Sequence, residues 1–176
     1  YSGSERIVLQ CKKAQLLNSF DSLSDLPYVI NIDTTKLAEV VKTYDGNGVK
    51  ASAPNGMSWA QIQVGAKDKN GFISWKNFRK FAKIQFVVYS SSSATFGTAT
   101  FSESVGVSEG WNIVELGMSA IVAAGNFRED ANGFYLCVNG LGENEYLIFD
   151  SFYGIYADDY EPDVGVEVEI DSADGL

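Results

Sequence analysis

Three short apolar runs near the C-terminus constrain the fold of this chain more than any other feature. They are GWNIVELG (110–117), NGFYLCVNG (132–140) and EYLIFDSFYG (145–154), and Gly, Asn and charged residues separate them. Apolar side chains alternate along these runs, which is the period of a half-buried β-strand. Because Gly and Asn between the runs favour tight turns, the pattern predicts short antiparallel strands joined by turns.

Turn signals recur at short intervals along the rest of the chain, for example at 45–48, 54–56 and 68–71. The strand candidates between the turns are 5–12, 48–53, 57–65, 83–90, 95–102, 111–117, 133–139 and 145–153. Short strands at this spacing are typical of an all-β fold. We therefore expect a β-sandwich or jelly roll of about eight to ten antiparallel strands.

Three segments do not fit the strand pattern simply. KLAEVVK (36–42) has apolar residues at helical spacing and also fits a strand. SWKNFRKF (74–81) predicts a helical turn or loop that packs aromatic side chains, and MSAIV (118–122) predicts a short helical turn.

The length of 176 residues is enough for one domain with a full hydrophobic core. We place a β-sandwich in residues 1–156. Residues 157–176 are rich in Asp and Glu, and we interpret them as an acidic C-terminal strand or a linker. The sequence has no initiating Met and no signal-peptide pattern, so we expect a processed protein or an excised module of a larger, multimodular one.

Charge and the missing histidine exclude several classes of function. A net charge of −10 argues against nucleic acid and against anionic membranes as partners. No apolar run is long enough to span a bilayer. Without any His, Cys/His zinc sites and Ser–His or Cys–His catalysis are excluded. Cys11 and Cys137 either pair with each other or remain free thiols.

Alternation in three strand candidates separates a core face from a second face. The core faces hold Ile62 and Val64, then Ile84, Phe86 and Val88, then Phe134, Leu136 and Val138. The second faces combine large aromatics with amides, namely Trp59, Gln61, Gln63, Gln85, Tyr89, Tyr135 and Asn139. An aromatic plane stacks on the C–H face of a sugar ring, and amides both donate to and accept from its hydroxyls. These seven residues are therefore predicted to bind carbohydrate.

The same aromatics also fit a purely structural role, because large aromatics in β-sandwiches are usually buried. Trp111, which follows the turn at Gly110, is interpreted as a packing residue for this reason. Exposed aromatic patches are unusual in monomers, and this supports the binding interpretation of Trp59 and Tyr89.

Asp150 is a carboxylate in an otherwise apolar strand, with no cationic residue close in sequence. Such a group needs a partner. Asp21 lies in a loop just after the first strand candidate, and carboxylates with backbone carbonyls suit a hard ion such as calcium. A Ca²⁺ held by Asp21 and Asp150 is one interpretation. The other is that Asp21 caps a turn while Asp150 accepts backbone hydrogen bonds.

Four segments in order carry a resemblance to a known type of fold. They are LLNSFD (16–21), KIQFVVY (83–89), GWNIVEL (110–116) and YLIFDSFYG (146–154). This order resembles the carbohydrate-binding-module type of jelly roll, a galactose-binding-domain-like β-sandwich. The resemblance covers residues 5–156 and assigns no individual family.

The resemblance implies a module, extracellular or on a bacterial cell surface, that binds polysaccharide or oligosaccharide without catalysis. It also implies a structural calcium between an acidic residue after the first strand and an Asp in the last, which Asp21 and Asp150 match. The sugar site would lie either across a concave sheet, at the seven residues named above, or in edge loops at Trp75 or Tyr44.

Two alternatives stand beside the binding module. A structural or protein-binding sandwich of a bacterial surface protein fits the same fold. A jelly-roll glycoside hydrolase needs two carboxylates across the scissile bond. Glu103, Glu115 and Asp130 are candidates for that pair only because they are carboxylates, and no pattern links them. The acidic motif Glu-x-Asp-x-x-Glu of jelly-roll glucanases is missing, which disfavours the hydrolase.

Overall fold

The computed structural model describes residues 14–21, 28–30, 37–44, 46–52, 54–64, 67–68, 71–72, 79–99, 101–125 and 134–159. The strands within these ranges are β1 (Ala14–Asn18), β2 (Tyr28–Ile30), β3 (Leu37–Thr43), β4 (Gly46–Ser52), β5 (Ala60–Val64), β6 (Lys67–Asp68), β7 (Gly71–Phe72), β8 (Phe81–Ser90), β9 (Ala94–Gly97), β10 (Ser104–Val107), β11 (Gly110–Gly117), β12 (Phe134–Asn139) and β13 (Tyr146–Tyr156). A short helix, α1 (Met118–Ala124), follows β11.

Two antiparallel sheets form a sandwich. The first sheet has six strands in the order β11-β8-β13-β4-β3, with β1 also paired to β13. The second sheet has five strands in the order β10-β9-β12-β5-β2. Strands β6 and β7 form a separate short pair. This architecture confirms the predicted all-β sandwich.

Strand β13 organises the six-stranded sheet. One of its edges pairs with β8 along most of its length, whereas the other pairs first with β4 and then with β1. The register to β8 passes from Phe149–Val88 to Ser151–Val87, so Asp150 is the extra residue of a β-bulge. The bulge shifts the side-chain alternation by one residue. Leu147 and Phe149 are buried before it, and Phe152 is buried after it.

The core lies between the two sheets and is rich in phenylalanine. The largest fully buried side chains include Phe20, Phe81, Phe86, Phe96, Phe149 and Phe152. The rings of Phe86 and Phe152 stack at 4.3 Å between centroids, on neighbouring strands of the six-stranded sheet. From the five-stranded sheet, Ile62 and Leu136 complete the same core. Aromatic burial on this scale is a major source of stability for a sandwich.

The structure confirms most of the predicted core positions and changes some strand bounds. The core-face assignments of Ile62, Ile84, Phe86, Val88, Leu136 and Val138 are confirmed, since all are buried. Segment 36–42 is the strand β3, and 118–122 lies in α1. The strand predicted at 95–102 is shorter in the structure: β9 ends at Gly97, and a turn follows it.

Several predictions fall outside the described residues. They are the strand at 5–12, the loop residues 73–78 with Trp75, the side chains of Val64 and Phe134, and the acidic segment from residue 160 onwards. The described residues contain no helix that is long and apolar enough to cross a membrane.

Truncation of Phe86 to alanine tests the core. Because the ring is fully buried and stacked on Phe152, Phe86→Ala should lower the free energy of unfolding by about 3–5 kcal/mol. Urea denaturation measures the change. Tyr44→Ala is the matched control, because Tyr44 is fully exposed and its loss should cost less than about 0.5 kcal/mol. Equal effects of the two variants would contradict this description of the core.

Candidate functional site

A row of side chains that begins with two aromatic residues crosses the outer face of the six-stranded sheet. Strand register places five side chains on neighbouring strands side by side. We call them the outer row: Trp111, Tyr89, Ile148, Lys50 and Glu39. The row lies outside because the alternate residues of the same strands, such as Val88 and Val114, are buried in the core.

The rings on this face contact one another in a chain. Trp111 meets Tyr89 edge-on, with 5.6 Å between centroids. Tyr89 stacks on Tyr146 at 6.1 Å and 21° between planes. The Lys50 ammonium lies 4.4 Å from the centroid of the Tyr146 ring and 3.4 Å from the Glu39 carboxylate. These contacts hold the aromatic planes in fixed orientations, which lowers the entropy lost when a ligand binds.

A groove opens beside the outer row. It is lined by Tyr44, Val87, Trp111 and Asp150, and its volume is about 260 Å³. Tyr44 is fully exposed in the turn between β3 and β4, and Trp111 is 49% exposed. We call this feature the Trp111 groove. Two aromatic side chains and one carboxylate in its lining give it both an apolar and a hydrogen-bonding surface.

Trp111 corrects the sequence interpretation, which assigned it to packing. Trp111, Ile113 and Glu115 share one face of β11, whereas Val114 and Leu116 on the other face are fully buried. The run contains apolar residues on both faces, so alternation alone is ambiguous there. Glu115 on the same face as Trp111 was the signal that this face is the outer one.

A polar network lies further along the same sheet face. The Lys83 ammonium donates to Glu115 Oε1 at 3.2 Å, and the Gln85 amide donates to Glu115 Oε2 at 2.9 Å. Gln85 is only 8% exposed. Its amide nitrogen is therefore engaged within the protein, which makes Gln85 a weaker candidate for sugar contact than Tyr89.

The seven residues predicted to bind carbohydrate do not share one face. Gln85 and Tyr89 lie on the six-stranded sheet. Trp59, Gln61, Gln63, Tyr135 and Asn139 lie on, or directly before, strands β5 and β12 of the five-stranded sheet. Alternation assigns a face within one strand, but the choice of sheet depends on which distant strands pair. The side chains of Gln63 and Tyr135 lie outside the described part of the chain.

Trp59 projects from the five-stranded sheet with a supported backbone. Its indole is 62% exposed, and its backbone adopts the left-handed region at φ 53°. The Trp59 N–H donates to Asn139 Oδ1 at 3.1 Å. The ring meets Phe101 edge-on, with 4.9 Å between centroids. A bulky residue in this backbone region is uncommon and costs about 1–3 kcal/mol, so the surrounding contacts must hold it there.

Gln61 and Cys137 pair on the same sheet. They are opposite each other on β5 and β12, and the Gln61 side chain hydrogen-bonds the thiol. Cys137 is a free cysteine and is 2% exposed. Burial raises the pKa of the Cys137 thiol, while the Gln61 hydrogen bond opposes part of that rise. Cys11 lies outside the described residues.

Asp21 and Asp150, the two predicted calcium ligands, line one cleft. Its volume is about 230 Å³, and its lining is Leu16, Ser19, Asp21, Gly46, Asn47, Asp150, Ser151 and Tyr153. We call it the acidic cleft. Ser19 Oγ donates to Asp21 Oδ2 at 2.6 Å, and Thr43 Oγ1 donates to Asp150 Oδ1 at 3.1 Å. Within the described ranges, no three acidic, Cys or His residues form a metal-binding group.

The carboxylates considered for catalysis have structural partners. Both oxygens of Glu103 accept the Gly117 N–H at 3.1 Å, at the start of α1. Glu115 accepts from Lys83 and Gln85, as described above. Asp130 lies outside the described residues. Neither Glu103 nor Glu115 lines the Trp111 groove.

No protein-family model and no curated protein matches the sequence. Solved structures do match it. One is a family 11 carbohydrate-binding module from Clostridium thermocellum in complex with a beta-1,3-1,4-mixed-linked tetrasaccharide, with a TM-score of 0.52 and 16% identity over 82% of this chain and 96% of that one. Another is the family 11 module of the cellulosomal cellulase Lic26A-Cel5E of Clostridium thermocellum, with a TM-score of 0.51 and 14% identity over 85% of this chain and 98% of that one. This likeness confirms the predicted fold resemblance.

The buried thiol provides a test of the site description. In a Cys11→Ser background, Cys137 should react with an aromatic disulfide reagent at pH 8 at least about tenfold more slowly than in urea. The reason is that burial limits access and keeps the thiol protonated. Absorbance of the released thiolate measures the rate. A Cys137→Ser variant reports Cys11 alone, and equal rates for folded and unfolded Cys137 would contradict the burial.

Proposed function

We propose that this chain is a non-catalytic carbohydrate-binding module and that the Trp111 groove is its principal sugar-binding site. The observation that supports this most is the open groove whose lining includes the exposed side chains of Tyr44 and Trp111 and the Asp150 carboxylate. Exposed aromatics of this kind are unusual in a monomer and mark binding surfaces. The fold likeness to carbohydrate-binding modules agrees with the proposal.

The chemistry of the groove suits a sugar ring. The C–H face of a pyranose stacks on Trp111 or Tyr44, and the Asp150 carboxylate accepts hydrogen bonds from hydroxyls. The volume of about 260 Å³ is slightly below the ~300 Å³ at which drug-sized pockets begin. We therefore expect one sugar ring to occupy the groove. The adjacent sugar units of the same glycan would lie along Tyr89 and Tyr146, on the outer face of the six-stranded sheet.

The charges favour a neutral glycan. Asp150 is the one charged residue in the described lining of the groove, and Lys50 is already paired with Glu39. The chain as a whole carries a net charge of −10. A polysaccharide rich in uronic acids would be repelled at this surface, whereas a neutral polysaccharide or oligosaccharide would not.

Absence of catalysis is part of the proposal. A glycosidase places two carboxylates across the scissile bond, about 5–9.5 Å apart. Within the described lining of the groove, Asp150 is the single carboxylate.

Binding at one sugar site is usually weak and gains strength when the module is attached to others. We therefore propose that the chain works as part of a multimodular protein, extracellular or on a bacterial cell surface.

Replacement of Trp111 tests the proposed site. Trp111→Ala should weaken glycan binding at least about tenfold, or about 1.4 kcal/mol, because the stacking plane is lost. The first probe is a β-1,3-1,4-mixed-linked tetrasaccharide, suggested by the ligand of the structurally similar module, followed by a panel of neutral and acidic glycans. Calorimetry measures the affinity.

Two comparisons make the Trp111 experiment decisive. Trp111→Phe keeps an aromatic plane and should retain most of the affinity. Val122→Ala removes a similarly exposed apolar side chain from α1, away from the groove, and should have no effect. Unchanged binding in Trp111→Ala would refute the groove as the site. Release of reducing sugar by the wild-type protein would refute the non-catalytic proposal.

We also propose that the acidic cleft holds a structural Ca²⁺. The donors that line it are hard oxygens, which is the ligand type calcium requires: the Asp21 and Asp150 carboxylates, the Ser19 hydroxyl and the Asn47 amide. They come from the loop after β1, from β4 and from the bulge of β13. A bound ion would tie these three segments together and offset the repulsion between the two carboxylates.

Removal of calcium tests this second proposal. With free Ca²⁺ at about 100 times its dissociation constant, binding adds about 2.7 kcal/mol, so a chelator should lower the melting temperature by about 5–10 °C. Asp21→Asn should abolish that response, while Glu39→Gln, a charge removal outside the cleft, should preserve it. A melting temperature that is the same with chelator and with calcium would rule out the ion.

A further inference from the structure

We infer that Trp59 forms a second carbohydrate-binding site, on the outer side of the five-stranded sheet. We call the site the Trp59 platform and define it by Trp59, Phe101 and Asn139. The ligand class rests on the proposed function, whereas the position and independence of the site rest on its own geometry. The module would then bind glycan on both outer faces of the sandwich.

The platform is built so that one indole stands out from the surface at a fixed angle. Asn139 in β12 holds the Trp59 backbone through its Oδ1 atom at 3.1 Å. Phe101 supports the indole with an edge-on contact of 4.9 Å and 86° between ring planes. The indole nevertheless remains 62% exposed. An indole with only a packing role would be buried, whereas this one is exposed and held by the Asn139 and Phe101 contacts.

The support continues into the sheet beneath. Gly97 in β9 lies under Phe101, where a Cβ atom would be only 2.6 Å from Phe101 Cδ1. The glycine therefore lets the Phe101 ring lie against the strand. Gly97 is opposite Cys137, and the next pair along these strands, Phe96 and Val138, faces the core. Gly97 and Cys137 therefore face the other side of the sheet. This places the Trp59 platform on the opposite outer face from the Trp111 groove.

The surroundings of the platform favour a sugar over a protein partner. Trp59 is the single large apolar side chain exposed on this sheet among the described residues. One indole is much smaller than the ~800 Å² per partner that a stable protein interface buries. The polar residues linked to it are uncharged: Ser58 precedes it in the chain, Asn139 accepts its N–H, and Thr95 is opposite Asn139 on β9. One aromatic plane with neutral polar neighbours suits a neutral sugar ring.

Two sites on opposite faces would let one protein molecule hold two glycan segments at once, which a single site cannot do. They cannot hold the same stretch of glycan, because the whole sandwich lies between them. A soluble polysaccharide would therefore be cross-linked by the protein, and binding to an insoluble one would gain from two attachments.

Nuclear magnetic resonance tests the two sites separately. The chain has three tryptophans, and their indole N–H signals are assigned from Trp59→Phe and Trp111→Phe. Titration uses the mixed-linked tetrasaccharide or, if it is not bound, the panel member that the wild-type protein binds most tightly. We expect the Trp59 and Trp111 signals both to shift, each with its own dissociation constant. Trp111→Ala should leave the Trp59 titration intact, and Trp59→Ala should leave the Trp111 titration intact.

Light scattering on the matching polysaccharide supplies the second measurement. The wild-type protein should cross-link it, whereas Trp59→Ala and Trp111→Ala should each abolish cross-linking. Phe101→Ala should weaken the Trp59 site several-fold without changing the Trp111 site. Amide spectra of Trp59→Ala check that the fold is kept. A Trp59 signal that does not move, with Trp111 still titrating, overturns the second site and leaves the proposed function standing.

Discussion

Strand β13 pairs along one edge with β8 and along the other with β4 and then β1. The residues that fill the core are Leu147 and Phe149 in its first half, but Phe152 and Tyr156 in its second half. A strand with unbroken alternation would turn one of these halves outward, because a shift of one residue exchanges the two faces. The bulge at Asp150 removes this conflict, so both halves bury their rings and the carboxylate is directed to the outer face.

Asp150 consequently borders two surfaces. It lines the Trp111 groove, and it lines the acidic cleft together with Asp21. A half-buried carboxylate needs compensation for lost hydration, and Thr43 supplies one hydrogen bond. If calcium occupies the cleft, it fixes the orientation of the carboxylate that lines the proposed sugar site. Linkage then requires that calcium and sugar change each other's affinity by the same factor.

The parts of the fold that local pattern determines were predictable from the sequence. The buried positions of Ile62, Ile84 and Leu136 follow from alternation within one strand. Which strands share a sheet face could not be predicted, because this depends on pairing between segments that are distant in sequence. Tyr89 was grouped with Trp59, yet strand pairing places it beside Trp111. The bulge at Asp150 also has no local signal, since 145–154 is apolar on both sides of it.

The chain separates packing from surface chemistry by the type of aromatic it uses. Six of the described phenylalanine side chains are buried, at Phe20, Phe81, Phe86, Phe96, Phe149 and Phe152, while the two described tryptophans are exposed. A phenyl ring has no polar group to satisfy in a core, whereas an indole N–H does. Phe101 is the one described phenylalanine side chain that is not buried, and it contacts Trp59. The exception therefore falls where a ring is needed to support an exposed indole, which is the arrangement expected of a binding platform rather than of a core.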